Sequence, residues 1–420
     1  MNKINRIEFM FRSLRHRNYR LFFIGQFISL IGVWMQSVAQ SWLVYSLTHS
    51  AMTLGLVGFA SQIPSFIVSP LGGFFADKYD KRKMLYITNS GSLVLALILS
   101  ILTLMGIIQV WHILILGILF GVVNGFDMPT RQAFVIEMVG KQDLVNAIAL
   151  NSSLFNGTRM IGPAIAGILV ALFGEGWCFF INSLSYVAIL IALLLMQLQT
   201  QKILYSSSLQ LTSIVGGFGF VIRAQPIRNL LILMGIVNLV GVPYMVLMPI
   251  FADHILGAGP SGLGILMSMA GAGALLGALS LAMKMSIRGL SKWITFASTG
   301  FGLSLIIFSQ SKIFWLSCIF LLITGFTMVI QMASTNTLIQ AMVPNQLRGR
   351  VMSFYIMVFT GMMPFGSLFA GALAKSIGAP LTLMMGGCIC ILGAIWFGRG
   401  LAEFKTKALQ LIAATESQSS

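Results

Sequence analysis

The sequence predicts an all-α membrane protein: twelve transmembrane helices in two six-helix halves related by duplication. Three observations carry this expectation, namely an extremely apolar composition, twelve apolar runs of membrane-spanning length, and glycines that recur at one fixed offset. Of 420 residues, 57% are hydrophobic and 9% charged, with a mean hydropathy of +0.92. Soluble domains carry roughly a quarter of their residues as Asp, Glu, Lys or Arg, so a soluble fold is excluded. Cys178, Cys318, Cys388 and Cys390 all lie inside apolar runs and read as small core residues, with no disulfide framework or metal-ligand spacing. The first 20 residues hold six basic side chains before an apolar run too long for a signal-peptide core, so no cleaved leader is expected.

About 20 helical residues cross the roughly 30 Å of bilayer hydrocarbon. The first six runs that meet this length are 21–46, 53–76, 84–107, 111–138, 145–173 and 178–197. The second six are 227–251, 261–283, 292–310, 313–342, 350–374 and 380–398. Trp111, Trp177, Trp293, Trp315 and Trp396 sit at or near their ends, where amphipathic rings anchor at the membrane interface. Basic residues order the topology. With both termini cytoplasmic, 23 of the 26 Lys and Arg fall in inner segments, leaving Lys312 and Lys375 outside and Arg159 within a span. The net charge of +16 therefore marks a membrane face and not a nucleic-acid partner. The implied organisation is a cytoplasmic segment 1–20, a six-helix half 21–197, a cytoplasmic linker 198–226, a second half 227–398 and a cytoplasmic tail 399–420. Within the linker, Leu209 to Arg223 is short, apolar and basic-flanked and ends before Pro226, which fits a helix lying on the membrane surface.

At an offset of 204 residues, seven glycine pairs coincide: Gly58/Gly262, Gly73/Gly277, Gly121/Gly325, Gly157/Gly361, Gly162/Gly366, Gly167/Gly371 and Gly174/Gly378. Chance gives roughly 1.6 such pairs over the same stretch. Spans 2 to 5 thus correspond to spans 8 to 11.

The first inner loop reads Gly73-Phe-Phe-Ala-Asp77-Lys78-Tyr-Asp80-Lys81-Arg82-Lys83. One reading is a solvated basic turn. The other is a conformational latch, with Asp77 meeting a helix N-terminus and Lys81 and Arg82 pairing with groups on neighbouring spans. The segment resembles the signature loop of the major facilitator superfamily, matching at Gly73, Ala76, Asp77, Lys81 and Arg82, with Asp80 in place of the second glycine. That resemblance implies the major facilitator fold and the latch role. Span 5 carries Gly162-Pro163 and Gly167, where small residues allow close helix approach and the proline bends the span. The segment resembles the antiporter motif of superfamily exporters, which implies export. Leu347-Arg348-Gly349-Arg350-Val351-Met352-Ser353, Asp127-Met-Pro129-Thr-Arg131 and Phe218-x-Phe220-Val-Ile-Arg223 are similar to the branch of enterobactin exporters and macrolide efflux pumps.

Ionisable groups inside the bilayer are costly and mark function. Asp127 and Arg159 lie about 18 and 21 Å above the inner turn on neighbouring spans, and Arg131 shares a helix face with Asp127. They are expected to form one network, either a proton-coupling device or a charge-neutralising set. Uncharged polar residues in the spans are read as lining a substrate cavity or as packing bonds: Gln26, Gln36, Gln40, Asn124, Asn151, Asn156, Asn238, Tyr244, Gln331, Asn336 and Tyr355. Such groups among Phe and Met suit an amphipathic organic molecule. None of the four histidines lies deep in a span, which argues against a membrane-embedded enzyme.

The expected protein is a monomeric secondary transporter of the bacterial inner membrane. It exports a drug or siderophore-like metabolite by alternating access in exchange for protons, among membrane lipid and without cofactor or metal. A lipid-like solute flippase or uptake carrier of the same fold is the alternative.

Overall fold

The computed structural model describes residues 11–197, 219–283 and 289–417, and among these every regular element is a helix. The expected membrane-surface helix falls largely outside the described residues, of which 219–223 are helical. Lys202, Lys284 and Arg288 of the expected inner segments also lie outside them.

Each of the twelve apolar runs is one helix: α1 Arg17–Thr48, α2 Ala51–Lys78, α3 Lys81–Leu104, α4 Val110–Gly140, α5 Gln142–Phe173 and α6 Glu175–Leu195, then α7 Gln225–Ile255, α8 Gly259–Ala282, α9 Leu290–Gln310, α10 Phe314–Met342, α11 Asn345–Ile377 and α12 Ala379–Arg399. A final helix, α13, covers Leu401–Ser417. The shortest spans have 21 residues, about 31 Å of helix and enough to cross the hydrocarbon. α7 is widened by two π-segments, Val237–Gly241 and Phe251–Ile255.

Local chemistry sets the breaks. Gly140, with φ 70°, separates α4 from α5. Asp80 is the N-cap of α3, its carboxylate accepting the Lys83 N–H at 2.9 Å. The residue that departs from the superfamily signature therefore has its own local role in starting the next helix.

The chain forms two compact units. The first holds Met1–His49, Ala60–Ser207 and Gly259–Ser268; the second holds Ser50–Phe59, Ser208–Ala258 and Met269–Ser420. Tyr19, Phe22, Leu85, Phe134 and Ile189 centre the core of the first. Ile227, Leu230, Ile294, Ile339 and Phe397 centre the core of the second, which α13 completes with Phe404 and Ala408. Large apolar side chains such as Ile87, Leu172 and Leu392 are more than half exposed, as a lipid-solvated surface allows.

Four of the seven glycine pairs play matching parts, whereas Gly73 has open space where Gly277 packs on the Phe326 carbonyl at 2.6 Å. Gly174 and Gly378 both turn the chain with φ of 84° and 86°, at the α5–α6 and α11–α12 junctions. A Cβ on Gly162 would meet the Ile31 carbonyl of α1 at 2.9 Å, and one on Gly366 would strike the Leu239 carbonyl of α7. Gly121 packs on Ser61 of α2 and Gly325 on Ala270 of α8; Gly167 meets Gly264, and Gly371 meets Gly55. The duplication thus repeats helix contacts as well as sequence. Gly162→Ala is expected to cost about 1–3 kcal/mol through overpacking, seen as a lowered unfolding temperature in detergent. Gly157→Ala, with nothing within 4 Å of its Cβ, is expected to leave that temperature unchanged or raise it slightly. Equal effects at the two positions would contradict the close-packing role.

Candidate functional site

Helical spacing puts Asp127 and Arg131 one turn apart on α4, where the guanidinium Nη2 pairs with Asp127 Oδ2. The other carboxylate oxygen accepts from Thr88 Oγ1 at 2.8 Å and Asn89 Nδ2 at 3.1 Å, both on α3. Asp127 is 4% exposed. In hydrocarbon no water can complete a charged group's hydrogen bonds, so the pair and its two neutral donors are held together by the cost of leaving any of them unpartnered.

The polar set extends across the first unit. Tyr186 of α6 is buried beside Ser92 of α3 and Asn182 of its own helix, within range of the charges of Asp127 and Arg131. Asn182 Nδ2 donates in turn to Gln36 Oε1 of α1 at 2.5 Å. Gly32 makes room for this pairing, because a Cβ there would overlap both Asn182 and Ser185. Bonds to Asp127 thus join α3 to α4, and the Asn182–Gln36 bond joins α6 to α1. Thr88, Asn89, Ser92, Asn182 and Tyr186 are not among the uncharged polar residues that the sequence singles out, since residue type alone does not tell which neutral side chain will face a buried charge. The clustering of Thr88, Asn89 and Ser92 within about one turn of an apolar helix was the available signal.

The structure brings Asp127 and Arg131 together as expected and seats Arg159 in a different setting. The Arg159 Cζ lies 5.6 Å from the Trp34 ring centroid, and the same indole packs edge-on against Phe155 at 5.5 Å. Cation–π attraction of this kind stabilises a desolvated guanidinium.

At the junction of α2 and α3, Lys81 Nζ donates to Glu137 Oε1 of α4 at 2.7 Å. Arg82 donates through Nε to the Leu193 carbonyl at 2.7 Å and through Nη2 to Leu194 at 3.0 Å. It thereby places a cation on the negative C-terminal end of α6. Asp77 occupies the exposed last turn of α2 and Gly73 lies one turn earlier. A short 3₁₀ turn, Arg12–Arg15, docks on the start of α5. Arg12 and His16 both pair with Asp143, and Ser13 binds Asn146 through N–H and hydroxyl at 3.0 and 2.7 Å. Sequence reasoning did not single out these contacts, which join residues about 130 positions apart. In α5, Gly162 lies against α1, Pro163 sits inside the helix, and Gly167 and the Pro163 carbonyl lie against Gly264.

Many of the expected cavity residues have partners within their own unit. Asn151 Oδ1 accepts from Tyr19 at 3.0 Å, Asn156 donates to the Ser152 carbonyl at 2.8 Å, and Asn336 accepts from Gln340 at 2.6 Å. Tyr355 donates to the Met332 carbonyl at 3.3 Å. Gln26 and Tyr244 are buried, Gln40 is half-buried and Asn124 exposed. Asn238 and Gln331 have no exposure at all.

Removing Asp127 takes the counter-charge from Arg131, whose side chain is 29% exposed, and the acceptor from the buried Thr88 and Asn89. Asp127→Leu is expected to cost about 1–3 kcal/mol, and the double variant Asp127→Leu/Arg131→Met to recover part of that loss, read by thermal unfolding in detergent. A double variant no more stable than the single one would contradict the pairing.

The family described as transmembrane secretion effector matches residues 9–417. The staphyloferrin A transporter of Staphylococcus aureus is 28% identical over 387 residues, covering 90% of this chain and 95% of that one. The enterobactin exporter EntS of Escherichia coli is 23% identical over 370 residues, covering 87% and 86%. Among solved structures, the nucleoside transporter NupG superposes with a TM-score of 0.74 at 12% identity, covering 91% of this chain and 98% of that one. The inward-open xylose transporter XylE from E. coli gives 0.68 at 14% identity, covering 90% and 95%. The structural likenesses carry the fold and the family match carries membership: this multi-pass bacterial membrane protein belongs to the transmembrane secretion effector family, within the major facilitator superfamily of transporters.

Proposed function

We propose that the protein exports a siderophore-like, amphipathic organic compound across the bacterial inner membrane by alternating access, in exchange for protons. The observation that carries the coupling is the buried Asp127–Arg131 pair. A proton arriving on the carboxylate cancels the charge that holds Arg131, so the arginine is released and the packing of α3, α4 and α6 around it must readjust. Export draws support from the Gly162-Pro163 bend and from a relative whose name states export. The siderophore class draws support from the names of both relatives. The latch role of Gly73, Asp77, Lys81 and Arg82 draws support from Lys81 and Arg82 each reaching another helix. The distribution of basic residues favours cytoplasmic termini, and one chain holds the whole charge network, in keeping with a monomer. Asn124, exposed where the other cavity candidates are buried or half-buried, is the strongest of them for contacting solute.

The test is retention of a compound panel by cells with and without the protein, with and without an uncoupler. The panel includes staphyloferrin A, enterobactin, dyes and antibiotics. Expression is expected to lower retention of a siderophore, and the uncoupler to abolish the difference. Raised retention would indicate an uptake carrier, and unchanged retention across the panel would refute export of these classes.

A further inference from the structure

The interior of the second unit holds a polar cluster that the charge network does not include. The offset of 204 places Gln331 where the first half has Asp127, Ser334 where it has Thr130, and Thr335 where it has Arg131. The charged pair of the first half is thus a neutral amide and hydroxyl in the second. All three are fully buried. In the first unit every oxygen of the acid is satisfied. In the second, both amide atoms of Gln331 and the hydroxyls of Ser334 and Thr335 have no hydrogen-bond partner among the described residues, and neither do Ser298 Oγ and Asn238 Oδ1. Unpartnered buried polar groups are rare and each needs an explanation.

Helix register brings Asn238 and Ser298 close to the level of Gln331, with Ser334 and Thr335 about one turn further along α10. Ser304 hydrogen-bonds Thr324 at 2.8 Å, and a Cβ on Gly300 would meet Thr327 at 3.1 Å, so α9 and α10 run antiparallel with Ser298 level with Gln331. Gly241 of α7 packs on Phe301 of α9, which puts Asn238, one turn earlier, level with Ser298. Asn238 lies in the first π-segment of α7, the kind of helix widening that recurs at functional sites. Its amide nitrogen is engaged by the Met234 carbonyl at 2.9 Å, so the side chain has only its oxygen left to offer.

We propose that this cluster binds a monovalent alkali cation of sodium size. The atoms on offer are hard neutral oxygens, those of Asn238, Ser298 and Gln331 near one level and the hydroxyls of Ser334 and Thr335 one turn along the same helix as Gln331, the kind of donor that hard cations take. The position that the first half fills with the fixed cation of Arg131 has no fixed cation here. A divalent ion does not fit. Asp253, at the outer end of α7, is the only acid between residues 176 and 402, and the desolvation penalty of an ion grows steeply with its charge.

The test uses the purified full chain in detergent: ²²Na⁺ binding by scintillation proximity, and thermal unfolding in sodium chloride against choline chloride at equal ionic strength. Saturable ²²Na⁺ binding is expected. At tenfold excess over Kd, sodium is expected to raise the unfolding temperature by about 3 °C. Gln331→Leu/Thr335→Val is expected to abolish both effects. Gln331→Glu, which supplies the carboxylate found at Asp127, is expected to tighten binding about tenfold, and it decides the matter if the double variant fails to fold. Absence of binding together with equal unfolding temperatures in the two salts would mean that the groups hold water only and would overturn the proposal. Binding that survives the double variant, or that Gln331→Glu leaves unchanged, would overturn it equally.

Discussion

A carboxylate placed in hydrocarbon must find every partner within the protein, and the first unit is built around that requirement. Asp127 has its ion pair one turn away on the same helix and its remaining acceptor capacity filled by Thr88 and Asn89. Those donors fix how α3 packs on α4. Beside this set, Tyr186 lies within range of both charges, and Asn182 bonds Gln36 to join α6 to α1. A change of charge at Asp127 therefore acts first on the bonds between α3 and α4 and reaches Tyr186 of α6 through its field.

The two halves share a packing plan and differ in chemistry. Equivalent glycines bring equivalent helices together, as at Gly162 on α1 and Gly366 on α7. Yet the offset that preserves these contacts replaces Asp127 and Arg131 by Gln331 and Thr335. Duplication conserves the backbone approaches, where only hydrogen fits, and leaves the interior side chains to diverge. The sequence after α2 and α8 diverges too: Lys81 and Arg82 reach α4 and α6, and the second half has Leu281 at the position of Asp77.

The fold was legible in the sequence because its causes are local: helix length against bilayer thickness, basic residues between the spans, glycines at a fixed interval. The Asp127–Arg131 pair was legible because i, i+4 spacing on one helix guarantees proximity. Height above the membrane face gave less for Arg159, since depth fixes one coordinate and helix rotation the other, and its guanidinium lies over Trp34. Neutral partners such as Thr88 and Asn89 carry no mark in sequence until a neighbouring charge gives them something to bind. The docking of Ser13 and His16 onto Asn146 and Asp143 depends on contacts about 130 residues apart. The Asp80 cap shows the reverse case, in which a departure from a motif has a local reason that the structure makes plain.

The central claim is that protonation of Asp127 drives the cycle. Its most direct measurement is transport by the Asp127→Asn variant in proteoliposomes under an imposed pH gradient, using whichever panel compound the parent protein moves. Asparagine keeps the shape and the capacity to accept hydrogen bonds from Thr88 and Asn89 while removing the titrating group. The account predicts loss of gradient-driven accumulation with downhill solute exchange retained. Full gradient-driven transport by the variant would contradict it.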